Sequence, residues 1–153
     1  MAEHIYELGF TKTSGAAAGM VCAIVPGTLG SGIRMPEIRE IGLFSQSGVA
    51  AILGLGFASS AGATPTETVV QALLNGIDAA GHTNIVTAYT TAPGAPSNYF
   101  RRWDIQALQG AGDVFTWGEG EFPLWSGASV PQLVIWQISA VAVTYDGYVK
   151  VAE

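Results

Sequence analysis

Two glutamates, Glu119 and Glu121, flank Gly120 in an acidic run, with Asp113 a short distance upstream. Carboxylates paired in this way hydrolyse glycosides when a rigid frame fixes their separation, and they hold calcium when further oxygens converge on the ion. Here the Gly118-Glu119-Gly120-Glu121 run reads as a turn, so a loop sets the separation and solvation of that turn is the favoured reading. His4 and His82 each stand apart from any other ligand type at metal spacing, which points to structural or surface roles. Cys22 lies in Met20-Val21-Cys22-Ala23-Ile24-Val25 and reads as a small buried hydrophobe rather than a reactive thiol. As the one cysteine it excludes an intrachain disulfide. Gly30-Ser31-Gly32 is a loop without the nucleophile-elbow spacing, and Gly54-Leu55-Gly56 lacks the third glycine of a dinucleotide site and lies in a strand pattern. We therefore expect no catalytic, cofactor-binding or metal site, and a protein that is not an enzyme.

The formal net charge of −6 argues against a direct nucleic-acid partner, because phosphate contacts need clustered Lys or Arg and Arg101-Arg102 is the one adjacent basic pair. Charged residues make up 12% of the 153 residues, about half the share usual in soluble domains. Surface charge normally guards against association of sheet edges and patches, so its scarcity predicts that other subunits cover part of this chain. Met1-Ala2-Glu3-His4 has no basic segment leading into an apolar one, hence no signal peptide is expected and synthesis is read as cytoplasmic. At this length a single domain, residues 1–153, buries a core without staples.

The uncharged stretch 122–145 is interrupted by Pro131, Gln132, Gln137 and Ser139 and rich in β-branched and aromatic residues, so it is read as sheet core and not as a membrane span. Within it Leu133, Ile135 and Gln137 alternate with Val134, Trp136 and Ile138, giving a strand dry on both faces, with 141–145 as its expected neighbour and Trp136 and Ile138 expected to be buried. Elsewhere, strands are predicted over 4–13, 20–25, 35–45, 49–58, 84–91, 99–108 and 113–117, with a last segment at 148–151. Over 35–45 the period-2 pattern sets Glu37, Arg39 and Ile41 opposite Ile38, Glu40 and Gly42, the charges forming a solvated or cross-strand-paired rim. Val49, Ala51, Leu53, Leu55 and Phe57 face one way. Their opposite face (Ala50, Ile52, Gly54, Gly56, Ala58) is small and suits close packing by another sheet or subunit. Thr64-Pro65-Thr66-Glu67 matches a capping box with Pro at the first helical position, predicting one short helix over 66–74. Asp146-Gly147 predicts a tight hairpin or a bulge. The loops 27–32 and 92–98 are read as turn-rich and the second as stiffened by Pro93 and Pro96. Nine or ten short strands at such spacings make an all-β fold, an antiparallel sandwich or a barrel. Four tryptophans, Trp103, Trp117, Trp125 and Trp136, read as core, with a sugar-binding platform as the other use of such a row.

Glu37-Ile38-Arg39-Glu40-Ile41-Gly42-Leu43-Phe44, the run Ala92-Pro93-Gly94-Ala95-Pro96 before Arg101-Arg102, and the small-residue turn from Gly127 into Leu133-Val134-Ile135-Trp136 give the chain a likeness. It resembles the small all-β virion proteins of tailed bacteriophages, of the head decoration or cement type. The resemblance implies a jelly-roll sandwich, a homotrimer, the major capsid protein as partner, and a place on the outer surface of the virion. A decoration protein that stabilises the shell by bridging capsomers is the expected function. The alternative is a tail or spike component that binds host glycans.

Overall fold

Alternation sets the first strand: in β1 (Ile5–Thr13), Tyr6, Leu8 and Phe10 point inward and are buried while Gly9 and Thr11 face solvent. The same logic yields β2 (Gly19–Val25), β3 (Glu37–Ser45), β4 (Ala51–Phe57), β5 (Ala63–Val69), β6 (Ala72–Leu73), β7 (Asn84–Thr91), β8 (Arg101–Ile105), β9 (Gly112–Thr116), β10 (Leu133–Gln137) and β11 (Thr144–Ala152). These come from a computed structural model that describes residues 5–26, 36–69, 72–73, 83–122 and 132–153. No helix occurs among the described residues.

The strands form two antiparallel sheets, β6-β1-β11-β3-β9 and β5-β7-β2-β10-β4-β8. The pairing is nested: β1 with β11, β2 with β10, β3 with β9 and β4 with β8, while β11 also joins β3 and β10 also joins β4. One long hairpin rolled over on itself gives this order, which is the double-sheet jelly roll. Strands β5, β6 and β7 interrupt the roll between its fourth and fifth strands. Of these, β7 and β5 widen the second sheet beyond β2, and β6 adds to the first sheet outside β1.

One apolar cluster fills the space between the sheets, drawing Leu8, Phe10, Ile38, Ile41, Leu43, Tyr145, Val149 and Val151 from one and Val21, Cys22, Ile24, Leu53, Leu55, Ile85, Leu133 and Ile135 from the other. Two bulges set the phase. Opposite Ile135/Trp136 the register of β2 slips past Val21, so both Val21 and Cys22 reach the core. Between Lys150 and Val151 the register slips past Arg39, which puts both Ile38 and Ile41 inward. The strict alternation expected for 35–45 fails for that reason.

Gln137 ties the sheets together inside the core. Its side-chain oxygen accepts from the Tyr145 hydroxyl (2.6 Å) and the Ser14 hydroxyl (2.7 Å), and its amide nitrogen donates to the carbonyls of Ser139 (2.8 Å) and Val141 (2.6 Å). All four hydrogen-bonding positions of a fully buried amide are thereby used.

Several expectations need correction. The helix expected over 66–74 is not found in the described residues of that span: residues 63–69 are β5, antiparallel to β7, and 72–73 are β6. A capping box supplies only end groups, whereas Thr66, Thr68 and Val69 are β-branched and favour a pleated strand. The Glu67 carboxylate accepts from Thr87 across the strands (3.0 Å) instead of capping a helix, and Pro65 is tolerated because β5 is an edge. The strand at 133–137 does not neighbour the one after it: β11 begins at Thr144 and lies in the other sheet. Asp146-Gly147 makes neither hairpin nor bulge but sits mid-strand, where a Cβ on Gly147 would come within 2.7 Å of Leu43 and Phe10 side chains. Because β11 is paired on both sides, it is not a free strand for a neighbour's sheet. Trp136 and Ile138 are half-buried, Trp136 lying on the outer face of the second sheet against a small cluster with Val134, Ala23 and Ala58.

The small-residue face of β4 is covered by its own chain over Gly54 and Gly56, while Ala50 and Ile52 stay exposed. Residues 93–99 fold back over it, with Pro93 and Pro96 buried and Tyr99 lying on Gly54, where a Cβ would meet the ring at 2.3 Å. Gly56 likewise leaves room for Pro96 and the Asn98 carbonyl. Loop 92–98 is thus pinned, and backbone bonds from the Ser59 N–H to the Gly94 carbonyl and from the Gly94 N–H to the Ser60 carbonyl hold its start. Loop 27–32 lies outside the described residues.

Candidate contact surfaces

At one end of the roll β8 and β9 close their respective sheets, among the described residues, and a row of rings bridges the gap between them. Trp103, buried from β8, meets Phe115 of β9 at 5.1 Å between centroids. From Phe115 the row continues to Trp117 (6.5 Å), Phe122 (5.3 Å), Phe100 (5.8 Å) and Phe57 (5.1 Å). Edge-to-face geometry dominates at Phe57–Phe100 and Phe100–Phe122, the arrangement that ring quadrupoles favour. The backbone turns just before β8: the Phe100 N–H donates to the Leu55 carbonyl, Tyr99 goes to the outer face of the sheet, and Phe100 goes to the row.

The outer end of this row is open. Phe100, within the row, is 58% exposed, and Leu108 in the turn between β8 and β9 is 65% exposed; Val114, 47% exposed, pairs with Gly42 and stands instead on the outer face of the first sheet. The Arg101 guanidinium stands 4.2 Å from the Phe115 centroid, and Arg102 lies 5.9 Å from that of Tyr99. An exposed aromatic ring in a row that also carries an exposed arginine is the kind of surface that interfaces use as anchors.

A second polar patch lies on the outer face of the first sheet, where β1, β11 and β3 stand side by side. Glu40 accepts from Lys150 (2.6 Å) and from the Tyr148 hydroxyl (2.7 Å). The bond from Lys150, and next that from Tyr148, holds the Glu40 carboxyl below the usual range, and the same contacts push Lys150 and Tyr148 up. Tyr148 lies flat over Gly42, whose missing side chain makes the space.

The residues with chemical potential do not gather. Glu121 accepts from the Gly118 N–H within its own turn, whose Gly120 has φ of +75°, and Glu37 reaches that turn by accepting from the Gly120 N–H at 2.9 Å. Glu37 also pairs with Arg39 at 3.3 Å and is buried, so this part of the expected rim is not solvated. Asp113 is exposed on β9. Cys22 is fully buried, and desolvation pushes its thiol up to about 12. His4, His82 and Trp125 lie outside the described residues. Among the described residues no group of three or more His, Cys, Asp or Glu is placed to hold a metal ion, and no helix is long and apolar enough to cross a membrane.

The ring row was legible only in part: Trp103, Phe115 and Trp117 show the strand alternation, but Phe57, Phe100 and Phe122 join it through tertiary contacts. No protein-family model, curated protein or solved structure matches this chain.

Proposed function

We propose that this protein is a structural component of a virus particle, of the head decoration kind, which binds the major capsid protein on the outside of the shell and bridges neighbouring capsomers. The observation that carries the reading is the β8–β9 end of the roll, where the ring row leaves Phe100 exposed and the exposed Arg101 stands over Phe115, offering an apolar and a cationic anchor. A jelly roll is a rigid body and is a fold used by capsid proteins, though also by lectins and cupins, so the fold supports the reading without carrying it. Pro93 and Pro96 pin loop 92–98 to the sheet, so contact is assigned to the ring edge and not to that loop. Assembly as a homotrimer belongs to the same reading. Once one subunit of an oligomer docks on a lattice, the others bind at high effective concentration, so modest contacts add up.

The test is reconstitution on particles. Heads assembled without this protein should release DNA at a lower temperature than complete ones and regain stability when it is added back. A Phe100→Ser, Arg101→Ala variant that folds normally should fail to restore it. Heads indifferent to the protein, or its localisation to the tail, would replace this reading with the glycan-binding alternative.

A further inference from the structure

On the outer face of the first sheet, one cross-strand row places Gly9 of β1, Tyr148 of β11 and Gly42 of β3 side by side. Tyr148 therefore has a glycine on each flank, and its ring leans onto Gly42, where a Cβ would stand 2.4 Å from the ring. The space above Gly9 is left empty: a Cβ there would have only the Gly147 carbonyl at 4.0 Å. The result is an open trough of about 520 Å³, lined by Glu7, Gly9, Thr11, Phe44, Asp146 and Tyr148 together with Phe10 and Gly147. That volume falls within the roughly 300–1,000 Å³ usual for small-ligand sites.

The lining is sorted by chemistry. Phe44 and Tyr148 supply aromatic walls. Asp146 is held rigidly, accepting from Thr11 (2.8 Å) on one oxygen and from Gln46 (2.7 Å) on the other, and each oxygen keeps a second lone pair. The Glu7 carboxylate makes no direct hydrogen bond among the described residues, although it stands opposite Lys150 and its charge acts on Lys150 and Tyr148. Lys150, opposite Glu7 in the next cross-strand row and 5.2 Å from the Tyr148 ring centroid, is bonded to Glu40. A ligand with hydrogen-bond donors for two carboxylates and an apolar face for two rings matches this lining. A pyranose ring has both. A lone cation would be better served by rings that enclose it, and this trough is open.

We infer that the trough over Gly9 is a binding site for a neutral saccharide, with Glu7 and Asp146 accepting from its hydroxyls and Phe44 and Tyr148 taking its apolar face. The site lies on sheet-face residues separate from the β8–β9 ring edge, so it stands or falls apart from capsid binding.

The experiment is saturation-transfer NMR and titration on the full chain, using neutral tetrasaccharides of glucose, galactose, mannose and N-acetylglucosamine, with arginine methyl ester as a cationic probe. At least one saccharide should show transfer from Tyr148 and Phe44 ring protons. Gly9→Leu has room for its side chain and fills the trough; it should abolish binding while leaving the melting temperature within a degree or so of wild type, since the site is an open strand position. Glu7→Gln should weaken binding roughly tenfold, as loss of a charge-assisted hydrogen bond does. Phe100→Ser, at the ring edge, should bind sugar normally. Silence from all four saccharides, binding of the arginine ester alone, or saccharide binding that Gly9→Leu leaves intact would each overturn the assignment.

Discussion

Gln137 offers a quantitative test of the jelly-roll core. Replacing it with Leu keeps a similar volume but strands the Tyr145 hydroxyl, which is fully buried between the sheets and has Gln137 as its hydrogen-bond partner. It also removes one acceptor from Ser14 and both donors to the Ser139 and Val141 carbonyls. Each buried group left unmade costs about 1–3 kcal/mol, while Ser14 and the two carbonyls lie nearer solvent and recover part of theirs, so the total should be about 2–4 kcal/mol. Tyr145→Phe alone removes one hydrogen bond of the four and should cost about 1 kcal/mol. The diagnostic quantity is the double variant. In the Gln137→Leu background the tyrosine hydroxyl has become a liability, so deleting it should be neutral or favourable, and the two costs should fall short of additivity by about 1–2 kcal/mol. Urea unfolding followed by tryptophan fluorescence gives each value, with the slope checked for constancy. Additivity to within about 0.5 kcal/mol would mean that the two side chains do not act as one unit, and the inter-sheet clasp would have to be abandoned.

Alkaline pH should weaken the fold. Burial raises the Cys22 thiol to about 12 and pushes the Tyr145 hydroxyl above its ordinary range. The unfolded chain then loses protons that the folded one keeps, so stability present below about pH 9 should decline as pH rises through 9 to 12, by up to about 1.4 kcal/mol per pH unit for the thiol. Cys22→Ala should flatten the first part of that decline in pH-dependent urea melts, and an unchanged slope would count against thiol burial. Gly54→Val places a side chain where the Tyr99 ring lies, 2.3 Å from the new Cβ, and should lift the proline loop at a cost of about 1–3 kcal/mol, with faster proteolysis in residues 92–99. Wild-type cleavage rates would refute the covering role of that loop. In light scattering after size exclusion the wild-type chain should run as a trimer. A monodisperse monomer at micromolar concentration would remove self-association from the proposal.

Residue order alone determined the class of this fold. Apolar alternation in 5–13 and 51–57 and continuous apolar runs at 20–25 and 133–137, punctuated by glycine and proline, point to short strands with one or both sides dry, and that property is local. Burial of Cys22 was likewise legible from its apolar neighbours. Which strands meet was not, because pairing partners lie as far apart as Ile5 and Ala152, and nothing in a strand's own residues names its neighbour. The bulges at Val21 and Arg39 exist only against a partner strand, and they shifted the faces that simple alternation assigns. The capping-box residues at 64–67 carried a helix signal worth only end groups, and the ladder with β7 outweighed it. Gly54 and Gly56 advertised a close approach without saying by what, and the tertiary structure gave the answer: Tyr99, Pro96 and the Asn98 backbone of the same chain. Gly9 and Gly42 are the same residue type in the same cross-strand row, and only the lean of Tyr148 in three dimensions filled one and left the other open.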